Sequence, residues 1–119
     1  MRIHHVQVSC PVGGEDDARR FYGDGLGMEE VAKPADLAAR GGCWFRLDAA
    51  EIHVGVEEPF SPARKAHPAL VVDDLASVAD RLVALGFEVD WTERRTFPGF
   101  ERCHTRDAHG NRVELLRGG

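Results

Sequence analysis

Two stretches of this chain repeat each other in order, and a duplicated unit restricts the possible folds more than any single motif does. The first is His5–Cys10 (HVQVSC), an acidic turn, a short helical run and Leu26–Val31 (LGMEEV). The second is His67–Val72 (HPALVV), an acidic turn, a helical run and Leu85–Val89 (LGFEV). The offset is 62 residues from His5 to His67 and 59 from Leu26 to Leu85. Further along, Glu51–Val54 (EIHV) answers Arg112–Leu115 (RVEL), with 61 residues between His53 and Glu114. The chain therefore reads as two copies of one β-α-β-β-β unit, an α+β fold, with module 1 at about residues 1–58 and module 2 at about 66–119.

Within each copy the elements follow from periodicity. Leu75, Val78, Leu82 and Leu85 recur at helical spacing, and Asp73 or Asp74 stands where it can cap the first turn. A shorter helix is expected over residues 15–22, burying Ala18, Phe21 and Tyr22, with acidic residues at its positive end. Strands are expected near 3–10, 27–33, 42–48, 51–57, 67–73, 86–91, 100–106 and 111–117, the last two joined by a turn at Asp107–Asn111. Residues 58–66, with Pro59 and Pro62, lack periodicity and read as the linker.

A chain of 119 residues supports one core and has no room for a separate cofactor domain. Its net charge of −5, without a dense Lys/Arg run, argues against nucleic acid. The apolar stretches are strand-sized and the start, MRIHHVQV, has no apolar signal core, so neither membrane insertion nor secretion is expected. Cys10, Cys43 and Cys103 form no CxxC pair and read as reduced packing residues, which together suggest a cytoplasmic protein.

Successive strand side chains point to opposite faces, so parity sorts the polar residues. Val6, Val8 and Cys10 belong to the helix-covered face of the first strand, and His5, Gln7 and Ser9 to the other. In residues 51–57 Ile52, Val54 and Val56 are covered, while Glu51 and His53 are not. In the last strand Val113 and Leu115 are covered and Glu114 is free. The repeat places His67 where His5 stands. His5, His53, His67 and Glu114 thus share the free face, and two histidines with one carboxylate suit a divalent first-row metal that keeps open positions. His4 falls on the helix side and His109 in a turn, both as bystanders. His104 is either an exposed strand residue or a proton carrier at the site.

Ile3-His4-His5-Val6, Phe21–Gly27 (FYGDGLG), His67 ahead of Val71–Leu75 (VVDDL), and Asp107–Leu116 (DAHGNRVELL) together resemble the vicinal oxygen chelate superfamily. That superfamily includes glyoxalase I, extradiol dioxygenases, fosfomycin-resistance thiol transferases, methylmalonyl-CoA epimerase and the bleomycin-resistance proteins. The resemblance covers nearly the whole chain. It implies an eight-stranded mixed sheet cupped around a metal, with helices outside. It also implies His5, His67 and Glu114 as ligands, with His53 or Glu51 as an optional fourth, and a homodimer in which the cup is built within one chain or across the interface.

The expected cofactor is a divalent ion, zinc, nickel, manganese or iron, and the partner a small molecule whose two neighbouring oxygens chelate it. Glu114 and His104 are the candidates for proton transfer. Gln7, Trp44, Phe97, Phe100 and Arg102 are candidates for substrate contact, the aromatics as pocket walls and the guanidinium as a carboxylate or phosphate clamp. Thr96–Phe100 is a possible lid. The rival reading is a metal-free antibiotic-binding protein of the bleomycin-resistance kind, which the acidic balance and the aromatics also suit.

Overall fold

The computed structural model describes residues 1–118. Its strands are β1 (Val6–Cys10), β2 (Glu29–Val31), β3 (Cys43–Leu47), β4 (Ala50–Val56), β5 (Ala69–Val71), β6 (Val89–Asp90), β7 (Phe100–Arg106) and β8 (Arg112–Gly118). They form two four-stranded mixed sheets with matching orders, β1-β4-β3-β2 and β5-β8-β7-β6. In each sheet the first strand runs parallel to the last, and the remaining pairs are antiparallel. The repeat seen in the sequence is thus a repeat of topology.

Helix α3 (Leu75–Ala84) starts where Asp74 Oδ1 accepts the Ser77 N–H at 3.0 Å, and it buries Leu75, Val78, Ala79 and Leu82. Module 1 has a different helix. Its α-helical part is Glu15–Ala18 (α1), and Arg19–Gly25 continues as a π-helical stretch that buries Phe21 and Tyr22. Gly25 is where the two helices meet: a Cβ there would lie 2.7 Å from Leu82, and its carbonyl accepts Arg81 Nε at 2.8 Å. Only a residue without a side chain permits that approach. A four-residue helix, α2 (Ala35–Ala38), follows Pro34 between β2 and β3, where the sequence carried no stripe to announce it.

One core draws on both modules. Val8, Cys10, Phe45, Ile52 and Val54 from the first sheet share one cluster with Cys103, Val113 and Leu115 from the second and with Phe21, Leu26, Leu75 and Leu82. A buried polar knot adds a second tie. Tyr22 Oη donates to Asp107 Oδ2 at 2.8 Å. Asn111, 1% exposed, donates through Nδ2 to Ser9 O (2.8 Å) and Asp107 Oδ2 (2.9 Å), while its Oδ1 accepts the linker Ala63 N–H (2.9 Å).

An unsatisfied buried polar group costs about 1–3 kcal/mol, and Asn111→Ala orphans groups on three segments. Chemical denaturation of that variant is expected to show a loss of about 3 kcal/mol, against about 1 kcal/mol for Tyr22→Phe, which leaves Asp107 its other donors. Equal small losses for the two variants would mean that the knot does not tie the modules together.

Candidate metal centre

The free face of the second sheet carries the densest chemistry. His104 and Glu114 are direct cross-strand partners on β7 and β8, and Ala69 on β5 flanks Glu114 on its other side. His67 precedes β5 by two residues. Its Nδ1 lies 2.8 Å from Lys65 O, and a carbonyl only accepts, so Nδ1 donates there and Nε2 is the nitrogen turned toward the carboxylate. That Nε2 is 3.2 Å from Glu114 Oε1, and His104 Nε2 is 3.1 Å from the same oxygen.

The three donor atoms of His67, His104 and Glu114 all lie within 4.8 Å of one another. An imidazole lone pair aimed at a carboxylate oxygen is repulsive unless a cation, a proton or a metal ion, sits between them. The donor set fits a divalent first-row ion, with a backbone carbonyl orienting one ligand as is usual outside such sites. His104 and Glu114 are 8% and 4% exposed. Burial, and next the positive charge of Arg112, lowers the His104 pKa below 6.5, so the ring is unprotonated at neutral pH.

Arg102, also on β7, reaches the same carboxylate: Nη1 is 3.1 Å from Glu114 Oε1. Its other nitrogens bind Thr96 Oγ1 (2.7 Å) and Glu93 O (3.1 Å), and its guanidinium lies 5.5 Å from the Phe97 ring. The loop before β7 is thereby tied to Glu114. Phe97 and Phe100 pack on each other 4.8 Å apart and remain exposed, 42% and 36%.

His5 stands elsewhere. It precedes β1 and stacks on His53 at 3.8 Å, and His53 stacks on Trp44 at 3.9 Å with 5° between the planes. Register explains this row, because Gln7, His53 and Trp44 are laterally paired across β1, β4 and β3. His53 Nε2 lies 2.7 Å from Glu51 Oε2. That bond, and next the one from Arg46, holds the Glu51 carboxyl down at about 2. The expected convergence of His5 and His53 on His67 and Glu114 therefore does not occur within one chain. The free face carries two clusters, one per module.

Two other expectations change. His4 does not face the helices: its Nδ1 is 2.9 Å from His5 Nδ1 and its ring 6.5 Å from that of His53. His104 is buried against Glu114 and is not a solvated strand residue. His109 does sit in its turn, with Nε2 at 2.8 Å from Gly14 O.

Burial is the first cause of a lowered pKa in His53 as in His104. The unfolded chain then binds protons near 6.5 that the folded chain refuses, so the contribution to stability is complete above 6.5 and is lost as pH falls through the folded values. For metal-free protein the urea midpoint is expected to hold from pH 8 to about 7 and to drop toward pH 5. In the double variant His53→Gln/His104→Gln this step should flatten; an unchanged step would place the titration elsewhere.

Two four-stranded mixed sheets from a repeated βαβββ unit, with a His, His, Glu cluster on the free face, define the architecture of the vicinal oxygen chelate fold. The sequence profile of the Glyoxalase/Bleomycin resistance protein/Dioxygenase superfamily matches residues 2–115, and the chain belongs to that superfamily. A protein of Bacillus anthracis described as a putative glyoxalase family protein is similar at 44% identity, covering 100% of this chain and 96% of its own, with a TM-score of 0.92. TnmS3, an antibiotic binding protein from Streptomyces sp. CB03234, is 23% identical, with 100% and 99% coverage and a TM-score of 0.72. The fosfomycin resistance protein FosX from Listeria monocytogenes is 15% identical, with 100% and 94% coverage and a TM-score of 0.79. These last two likenesses show the fold alone. No curated protein matches the chain. No helix among the described residues is long and apolar enough to cross a membrane.

Proposed function

We propose that this protein is a metal-dependent small-molecule enzyme of the glyoxalase or dioxygenase kind, working as a homodimer. The observation that carries the reading is the convergence of His67 Nε2, ahead of β5, with His104 Nε2 and Glu114 Oε1 on the β7–β8 pair, all within 4.8 Å. A zinc, nickel, manganese or iron ion held there supplies Lewis acidity to two neighbouring oxygens of a substrate. His67 and Glu114 are the ligands from one chain, and His5 of a second copy is the third.

Two features support the pairing. β1 and β5 are edge strands of their sheets, and exposed apolar side chains, Ile3 (79%) and Val71 (68%), stand beside them. His104, unprotonated and in contact with Glu114, is placed to take a proton from substrate or to serve as a further donor. Arg102 balances the Glu114 charge beside the centre.

One observation favours the rival, a metal-free binder: Arg102 already neutralises Glu114 without an ion. Elemental analysis after purification, before and after reconstitution with each candidate metal, separates the two. The enzyme reading expects close to one ion per chain, lost in His67→Ala, and turnover in a screen of hemithioacetals, catechols and fosfomycin with thiol. A protein that takes up no metal under any of these conditions would be the binder.

A further inference from the structure

The module 1 cluster opens into a hollow of about 450 Å³, the size of a small-molecule pocket. Its polar lining is His5, Gln7, Lys33, Arg40, Trp44 and His53, with His4 at the rim, and no carboxylate lines it. That is unexpected in a chain with 20 acidic and 15 basic residues. Ion pairs hold some of the cations elsewhere, Arg19 with Asp16 and Glu30, Arg46 with Glu51 and Arg94 with Glu101. Among the described residues, Lys33 and Arg40 have no such partner. Lys33 Nζ donates to Gly41 O and lies 6.0 Å from the Trp44 ring.

Two neighbouring carboxylates are already bonded. Glu51 is held by His53 and Arg46. Glu15 accepts the Gly42 N–H at 3.0 Å. Gln7 completes the lining. A Cβ on Gly55 would lie 2.6 Å from Gln7 Nε2, so the bare glycine on β4 is what lets the carboxamide lie along the hollow.

We propose that this hollow seats an anionic group, a carboxylate, phosphate or phosphonate, gripped by Lys33 and Arg40 with Gln7 as a neutral donor. Two cations without an acidic partner, and with no carboxylate in the lining, favour an oxyanion, and a guanidinium offers paired donors to such a group. The substrate class is then a small organic acid or organophosphorus acid. Calling the occupant a substrate rests on the enzyme reading above; the anion seat itself does not.

The test uses metal-stripped full-length protein, titrated with phenylphosphonate, and with benzyl alcohol as the uncharged match. Calorimetry on the wild-type sequence, and Trp44 fluorescence in a Trp91→Phe background, are expected to show saturable binding of the phosphonate and none of the alcohol. Lys33→Ala/Arg40→Ala should weaken it at least roughly tenfold, and Gly55→Ala, which displaces Gln7, should weaken it less. Arg95→Ala, a change at an exposed cation outside the hollow, should leave it unchanged.

Binding that is absent in the wild type, or unaltered in the double variant despite normal folding by circular dichroism, overturns the proposal. Metal content of the same variants is a separate readout. A chain that never holds metal yet binds phosphonate through Lys33 and Arg40 keeps the anion seat and loses the enzyme.

Discussion

Glu114→Ala is expected to abolish tight divalent-metal binding, and Arg102→Ala to strengthen it. Glu114 supplies the only carboxylate of the cluster, and its Oε1 is the atom on which His67, His104 and Arg102 all converge. Removing it takes away the anionic ligand and leaves neutral imidazoles facing a dication, a loss of at least about 100-fold, beyond what outer contacts cost. Arg102 has the opposite effect because its guanidinium competes for the same oxygen lone pairs and repels a second cation. Its removal should tighten metal binding by roughly tenfold. The metal-free protein should then be less stable, since a nearly buried carboxylate has lost a charged partner. Competition against a chromogenic chelator measures both affinities, and denaturation with and without metal measures the linkage. An Arg102→Ala protein that binds metal more weakly would show that the arginine positions Glu114 for the ion.

The fold was legible because the duplication tied weak local signals together. Helix α3 was readable from its apolar stripe and from a cap at Asp73 or Asp74, of which the structure uses Asp74, and the repeat matched the strands of module 2 to those of module 1. The first helix was readable only as a helix. Its π-helical stretch ends at Gly25, which packs on Leu82, a contact between residues far apart in the chain. α2 is one turn long and buries none of its residues, so it had no periodicity to find.

The site was half legible. Parity put Glu114, His53 and Gln7 on the correct face, but parity does not say which residues lie side by side. His104 was recoverable from register. The Asp107–Asn111 turn pairs Arg106 with Arg112, and stepping two residues back along β7 and two forward along β8 sets His104 beside Glu114. His5 was assigned to the same centre from parity and from the superfamily pattern, neither of which states whether one chain or two supply the residues.

That last point makes the sharpest test a mixing experiment. Consider one chain carrying His5→Ala and another carrying Glu114→Ala. Each homodimer lacks a ligand at both sites and is expected to hold no metal. If each centre takes His5 from one subunit and His67 with Glu114 from the other, a hybrid dimer contains one centre with every ligand intact and one with two missing. Random exchange makes about half the dimers hybrid, so metal binding should return to about a quarter of the wild-type level. The geometry leaves room for this outcome. His5 lies in the hollow of the first sheet, in contact with His4 and His53 and outside the His67–His104–Glu114 cluster, and its exposed ring can meet a second copy. Were the centre complete within one chain, His104 would be its third ligand. His5→Ala would then keep its metal unmixed, and mixing would restore nothing to Glu114→Ala. Metal content per chain, read on homodimers and on the refolded mixture, distinguishes the two constructions without knowledge of the substrate.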